Sequence, residues 1–428
     1  MAAKPTRART WIQPVVVLTL LMALLSTMYL GYVVNPEKNL HDLPLALVNQ
    51  DEGDTLDGKP ANVGNQITEA MTANIPADKV DLRVVGITEL QRLLRDGKIY
   101  GAIVIPSDFT KRLAILGAAG VVSGKVDQPV ITIQTNPRTG TYATQITLRI
   151  AEQALEKVNA TVGKQLTDTV DARLRSSGES PPQLAGASQL LLAEPIDVVV
   201  APYRPLPEGT GGGLSAFFYT LLILLAGFTG AMIIHTMVDA SLGFTPTEYG
   251  PWYVHYPPTP ISRVRTLLMK WGILAVAAPI LSAVFLAVGT ALDMPIDKAL
   301  LLFLYSTFAI LAVGVTALSI LAAFGAAGML VNLILFIVLG LPSAGGTVPI
   351  EATPAYFGWL STFEPMHQVF LGIRAILYFE ASGAAGLERG VWMTLLGLII
   401  GLCSGAAVTA FYDRKGLVRS PERARGAE

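Results

Sequence analysis

Six apolar runs punctuate the chain: roughly Trp11–Val34, Leu214–His235, Trp271–Leu292, Ala299–Phe324, Gly328–Leu341 and Val391–Tyr412. A helix needs about 20 apolar residues to cross a hydrocarbon layer about 30 Å thick, and most of the runs approach that length. None carries Asp, Glu, Lys or Arg in its apolar core. The pattern predicts a polytopic α-helical membrane protein with six transmembrane helices arranged 1+5. It also lacks the charged relay that an ion-driven carrier keeps inside the bilayer. The 299–341 stretch reads either as two spans broken at Gly325-Ala326-Ala327-Gly328 or as one long span plus a re-entrant piece. Parity and the basic carboxyl tail favour two.

Between the first two runs lies a polar block, 35–213, with a different rhythm. Leu43–Val48, Val80–Val85, Ile99–Ile105, Val130–Gln134 and Asp197–Val200 are short apolar runs of strand length, bounded by turn-rich segments such as Asn49-Gln50-Asp51-Glu52-Gly53. Thr88–Asp96 has helical spacing and stops at Gly97. Strands alternating with helices predict an α/β domain with an at least partly parallel sheet. Tyr142–Arg175 predicts one long helix on which Ile146, Ile150, Ala154, Val158, Val162, Leu166, Val170 and Leu174 recur every fourth residue. Such a row drifts about 40° per step on a 3.6-residue turn, so its two ends should meet different neighbours in the domain's own core, or else a partner helix that wraps with it by self-association. Arg175–Pro182 reads as a polar loop. Gly209-Thr210-Gly211-Gly212-Gly213 reads as a flexible joint into the membrane.

Three membrane-side segments carry more pattern than a plain linker. Segment 342–389 holds Gly345, Gly346, Pro349, Glu351, Pro354 and Pro365, then an amphipathic Met366–Phe379 with Arg374, which suits a re-entrant or surface helix rather than a span. Gly397, Gly401 and Gly405 recur every four residues on the last run, a spacing that lets two helices approach closely, within one subunit or between two. The 236–270 loop carries Glu248, Tyr249, a Pro-rich stretch, then Arg263 and Arg265. The latter lie either on a short amphipathic docking helix or, more economically, on the basic foot of the next span.

Charge sets the orientation. Lys4, Arg7 and Arg9, then Arg263, Arg265 and Lys270, then Arg414, Lys415, Arg419, Arg423 and Arg425 load one side, against Lys298, Arg374 and Arg389 on the other. The positive-inside rule then puts both termini and the 236–270 loop in the cytoplasm and 35–213 outside. The segmentation is a 1–10 cytoplasmic tail, an uncleaved 11–34 anchor, the 35–213 extracytoplasmic domain, a 214–412 membrane domain and a 413–428 basic tail. Only 15% of the 428 residues are charged, well below the soluble average of about 25%. Net charge of −1 gives no reason to expect nucleic acid. The single cysteine, Cys403, lies in the last run, so the polar block has no disulfide.

Catalytic chemistry is missing from the pattern. There is no Gly-x-x-x-x-Gly-Lys-Ser/Thr phosphate loop and no Gly-x-Ser-x-Gly elbow. His41, His235, His255 and His367 lack metal-ligand spacing. Asp51 reads as a turn residue capping backbone rather than as a catalyst. No enzyme, cofactor or metal is expected.

Several separated motifs nevertheless resemble one family. Leu43–Gly53 followed by Asn62-Val63-Gly64, then Gly97–Phe109, are similar to the outer-domain signature of the YhgE/Pip membrane proteins. Ser343–Pro349, Glu351, Pro354, Pro365-Met366 and Gly372-Ile373-Arg374 resemble that family's membrane half. The resemblance implies kinship with type-2 ABC-transporter permeases: one span, an outer domain, five spans and re-entrant helices before the last. It implies a homodimeric membrane subunit of an exporter in the bacterial cytoplasmic membrane, powered by a separate ATPase. On that reading the 236–270 loop receives the ATPase stroke, and Gly345, Gly346 and Pro349 shape a re-entrant turn near the outer mouth. An uncharged pathway suits a lipid-like or amphipathic cargo. The rival expectation is a non-transporting envelope scaffold or receptor that presents 35–213.

Overall fold

The computed structural model describes residues 7–56, 59–119, 127–176, 191–417 and 419. The expectations for Lys4, for most of the 175–182 loop and for Arg423 and Arg425 lie outside the described residues. The chain divides into two compact units, Glu37–Leu206 and a second formed by Met1–Pro36 with Pro207–Glu428. A first helix, α1 (Arg7–Val33), opens the second unit.

The Glu37–Leu206 unit is built on a five-stranded sheet ordered β4-β1-β5-β6-β7. Its elements run β1 (Leu43–Asn49), a hairpin β2 (Asp54–Leu56) and β3 (Lys59–Ala61), α2 (Val63–Asn74), β4 (Val80–Val84), α3 (Ile87–Arg95), β5 (Gly101–Ile105), α4 (Phe109–Ala119), β6 (Val130–Thr135), α5 (Thr141–Ser176) and β7 (Asp197–Pro202). β1 pairs parallel with β4 and β5, β6 runs antiparallel to β5, and β7 lies parallel to β6. Side chains alternate across a strand, so β1 divides its residues between two cores. Leu45 and Leu47 meet α2, α4 and α5, whereas Ala46 and Val48 meet Leu90, Leu93 and Leu94 of α3. β1 is therefore buried on both faces, which explains its unbroken apolar run.

Asp51, just past β1, ties the ends of three elements. Its carboxylate accepts from the N–H of Gly64 at 2.9 Å and of Thr110 at 3.0 Å, and from the Thr110 hydroxyl. That hydroxyl oxygen in turn accepts from Val63 N–H at 2.8 Å. Asn62 caps α2 by accepting from Asn65 N–H and donates its amide to the Asp51 carbonyl. A Cβ at position 64 would lie 2.5 Å from both Asn49 Oδ1 and Asp51 Cβ, so only glycine fits. The 49–53 and 62–64 motifs are thus one hydrogen-bonded knot.

Along α5 the four-residue apolar row winds as a 3.6-residue turn requires. Val158, Val162, Leu166 and Val170 are buried in the main core. Towards the amino end Ala151 and Leu155 take the core positions, while Ile150 and Ala154 pack against the core's edge and stay half-buried.

The second unit is a helix bundle. After α1 come α6 (Leu214–Ser241), a small hairpin β8 (Thr247–Tyr249) and β9 (Trp252–Val254), α7 (Arg263–Ala291), α8 (Ala299–Phe324), α9 (Ala327–Ser343), α10 (Ala355–Ser361), α11 (Pro365–Tyr378) and α12 (Glu388–Arg414). Among the described residues five helices are long and apolar enough to cross a membrane: α1, α6, α7, α8, and α12 with the turn before it. The protein is a polytopic α-helical membrane protein. The break expected at 325–328 is present, because Gly325 at φ +60° ends α8. The fifth apolar run, however, makes a helix of only 17 residues, α9, interrupted by a π-helical turn at Ile334–Val338. Over half of the α8 window (56%) is buried inside the protein, against 6% for α1. α8 is therefore the bundle's axis and α1 lies at its margin.

Replacing Asp51 by Ala strands three buried donors at once. We expect D51A to cost about 2–4 kcal/mol and D51N clearly less, read as the fall in unfolding midpoint followed by circular dichroism.

Candidate functional site

The informative chemistry of the bundle sits at its two ends. At the end where α6 leaves and α7 enters, both helices run several residues beyond their apolar runs, and the extension brings charges inside. Asp239 and Lys270 are 4% and 3% exposed. Lys270 Nζ donates to Asp239 Oδ1 at 2.5 Å and to His235 Nδ1 at 3.1 Å. His235 Nε2 lies 3.3 Å from Asp239 Oδ2, and Arg419 Nη1 donates to that same oxygen at 2.9 Å. His235 and Asp239 share a helical face because they are four residues apart.

A second contact reinforces this end. Asp413 of α12 accepts from the N–H groups of Arg263 and Val264, capping α7, and Arg263 Nε donates to the Leu417 carbonyl at 2.6 Å. A carboxylate at a helix amino end is stabilised by the helix dipole as well as by its hydrogen bonds. Arg263 also covers the Tyr412 ring at 5.1 Å, and Arg419 covers Phe244 at 5.2 Å. Arg263 and Arg265 therefore belong to the foot of a long helix capped by Ser262, not to a separate docking helix. Glu248 and Tyr249 lie on β8, whose partner strand exposes Trp252 and Tyr253 at 72% and 65%.

The other informative region is 344–382. Gly345 adopts φ +72°, a left-handed turn that glycine tolerates without cost. A Cβ on Gly346 would collide with the Phe217 ring of α6. Pro349 precedes a one-turn 3₁₀ helix that contains the half-buried Glu351, and Pro354 precedes α10. Pro365 occupies the first turn of α11, where a missing N–H costs nothing. Tyr32 of α1 pairs with the Thr347 hydroxyl and accepts from Val348 N–H, fixing the loop to the first helix. α11 dips into protein: Met366, Val369, Phe370, Ile373 and Ile376 are buried. Arg374 spreads over the Phe370 and Phe379 rings at 5.5 and 5.7 Å.

Glu364 caps α11 by accepting from His367 N–H at 3.1 Å, and His367 Nδ1–H donates to the Ala344 carbonyl at 2.9 Å. Glu364 is buried and His367 half-buried where the turn after α9 meets the start of α11. Burial pushes the Glu364 carboxyl up to about 8, and burial pushes the His367 imidazole down to about 4. Both groups are thus uncharged near neutrality. Gln368 donates to the Ser361 and Thr362 carbonyls and accepts from Arg389 Nε at 3.1 Å, stapling α11 to the start of α12.

The glycine row of α12 faces α8 in part. A Cβ on Gly401 would sit 2.6 Å from Thr316 Oγ1, and one on Gly405 would collide with Ser319. Ser319 donates to the Gly401 carbonyl at 2.8 Å and Thr316 to that of Gly397 at 3.2 Å. Gly397 itself has open space beside its Cα.

The sequence reading missed the Asp239–Lys270 cluster and Glu364. Both sit just outside apolar runs, where a charge reads as solvated. The four-residue spacing of His235 and Asp239 was the available signal.

Two outcomes test this electrostatic picture. Lys270→Ala leaves Asp239 buried with less counter-charge and should cost about 3 kcal/mol, whereas K270M/D239L should recover most of the thermal stability in detergent. Between pH 6.5 and 8 the folded chain holds the Glu364 proton that the unfolded chain has lost, so stability falls as pH rises through that window. His367 acts below it: from pH 4 to 6.5 only the unfolded chain binds its proton, and stability rises with pH. The wild-type melting temperature should therefore drop from pH 6.5 to 8 while that of E364Q stays level.

The profile of a family described as "Protein of unknown function (DUF3533)" matches residues 14–401. "Uncharacterized protein YhgE" of Bacillus subtilis (strain 168) is 23% identical over 158 residues, covering 36% of this chain and 19% of that protein. The chain thus aligns with about a fifth of that relative's length. No solved structure matches. With nearly its whole length inside the family profile, the chain belongs to the DUF3533 family.

Proposed function

We propose that this chain is the permease-like membrane subunit of an exporter powered by a separate ATPase, working as a homodimer in the bacterial cytoplasmic membrane. The cargo is lipid-like or amphipathic. In this reading the spans are arranged 1+5, with α9 as the short fifth crossing. Both termini and the 236–270 loop are cytoplasmic, and 35–213 is outside.

One observation carries the proposal. Charge within the long helices is confined to their ends, and the α6/α7 end is clamped by Asp239, Lys270, His235 and Arg419 beside an exposed aromatic hairpin. A push on 243–256 from a cytoplasmic partner would pass through the clamp to α6, α7 and the tail of α12 together. The α12 row offers Gly397 to a second copy, while Gly401 and Gly405 hold α8. Gly345, Gly346, Pro349, Glu351, Pro354, Pro365 and Arg374 shape the outer mouth.

Glu364 favours a second reading, a proton-driven carrier, because it is a buried carboxyl of the helical unit that burial holds protonated near neutrality. A non-transporting scaffold is favoured by the size of the Glu37–Leu206 unit.

The expected result is co-purification with a nucleotide-binding protein whose ATPase rate the chain stimulates, with loss of that stimulation on deleting 243–256. Stimulation that survives the deletion removes the loop's role. Flux in liposomes driven by a pH gradient alone, and abolished by E364Q, replaces the ATPase with protons. Unchanged export in a strain lacking the gene favours the scaffold.

A further inference from the structure

The apolar row of α5 is wider than the face it buries. Ala151 and Leu155 fill the core, whereas Ile150 and Ala154 pack against it on one side only and keep part of their surface open. Together with Ile146 they line a groove of about 530 Å³ between α5 and α2, whose opposite wall is Ile67, Ala70 and Met71. That volume lies in the range of small-molecule sites, about 300–1,000 Å³. A surface apolar patch framed by polar residues is costly to leave in water and marks a binding site.

The groove's charge is one-sided. Arg149, Lys79 and Lys157 line it against a single carboxylate, Glu37, and that carboxylate is already engaged by Arg149. Lys79 and Lys157 are exposed and have no ion-pair partner among the described residues. Gln66, Gln153 and Gln165 supply neutral hydrogen-bonding groups along the rim.

We infer that this groove binds a single-chain anionic amphiphile, with its acyl chain along the Ile146/Ile150/Ala154 wall and its carboxylate or phosphate head at Lys79 and Lys157. This names the cargo class within the permease reading and rests on that reading for its biological role, whereas the binding itself requires no ATPase.

The test uses the full chain in phosphatidylcholine nanodiscs with three photoactivatable diazirine probes: palmitate, lysophosphatidylglycerol and the uncharged hexadecanol. Labelled peptides are then mapped by mass spectrometry. Labelling of 66–80 and 146–165 is expected, with preference for palmitate or lysophosphatidylglycerol distinguishing a fatty acid from a lysophospholipid. K79E/K157E alters only exposed positions. It should cut labelling by both anionic probes at least fivefold and leave hexadecanol unchanged. A154W should cut all three at least tenfold.

Labels confined to 214–414 would overturn the inference, as would anionic labelling that K79E/K157E leaves intact. A154W converting a dimer to a monomer with labelling unaltered would also overturn it, and would make the groove an interface between copies. These failures leave the ATPase coupling test standing, and failure of that test leaves the groove standing.

Discussion

The contact between Lys270 and Asp239 is the constraint around which the bundle end is organised. In a medium that cannot solvate ions, a charge is tolerated only where a counter-charge and hydrogen bonds replace water. The chain meets that demand at a point where two helix ends and the carboxyl tail converge. Each partner is useless alone: Asp239 needs Lys270 and Arg419, and Arg419 in turn covers Phe244 of the adjoining loop. A pair of this kind contributes little net stability against an apolar substitute. What it supplies is geometry, because its contacts tie α6, α7 and the tail to one another.

The Glu37–Leu206 unit solves the same problem with water available. Asp51 is its counterpart of the clamp, an anion whose partners are backbone N–H groups at the starts of α2 and α4 rather than cations. The two helix starts are drawn to the end of β1 by hydrogen bonds that survive high salt, which screens exposed ion pairs. The half-buried residues of α5 then follow from arithmetic: a helix that repeats every 3.6 residues cannot keep a four-residue row in one core.

Much of this was legible in the residues. The five strands, the long α5 and the break at Gly325 follow from periods and turn residues, which are local. Asn49, Asp51, Asn62 and Gly64 were recognisable as a motif, but their joint role needs Thr110, 59 residues beyond Asp51. Burial of Asp239 was not legible, since helix ends shift by a few residues and that shift decides whether a charge meets water or protein. Glu364 escaped for the same reason: it stands between two short helices whose packing only the folded chain defines. The groove needed both α2 and α5 in place.

The 17-residue α9 has a bearing on the surrounding lipid. At 1.5 Å per residue it reaches about 26 Å, some 4 Å short of the average hydrocarbon thickness. As the fifth crossing proposed above, it would draw the two leaflets together beside it. Hydrophobic mismatch costs a fraction of a kcal/mol per ångström, so such a crossing would carry its own patch of thinned bilayer, and a lipid leaving the leaflet at that spot would start part of the way out.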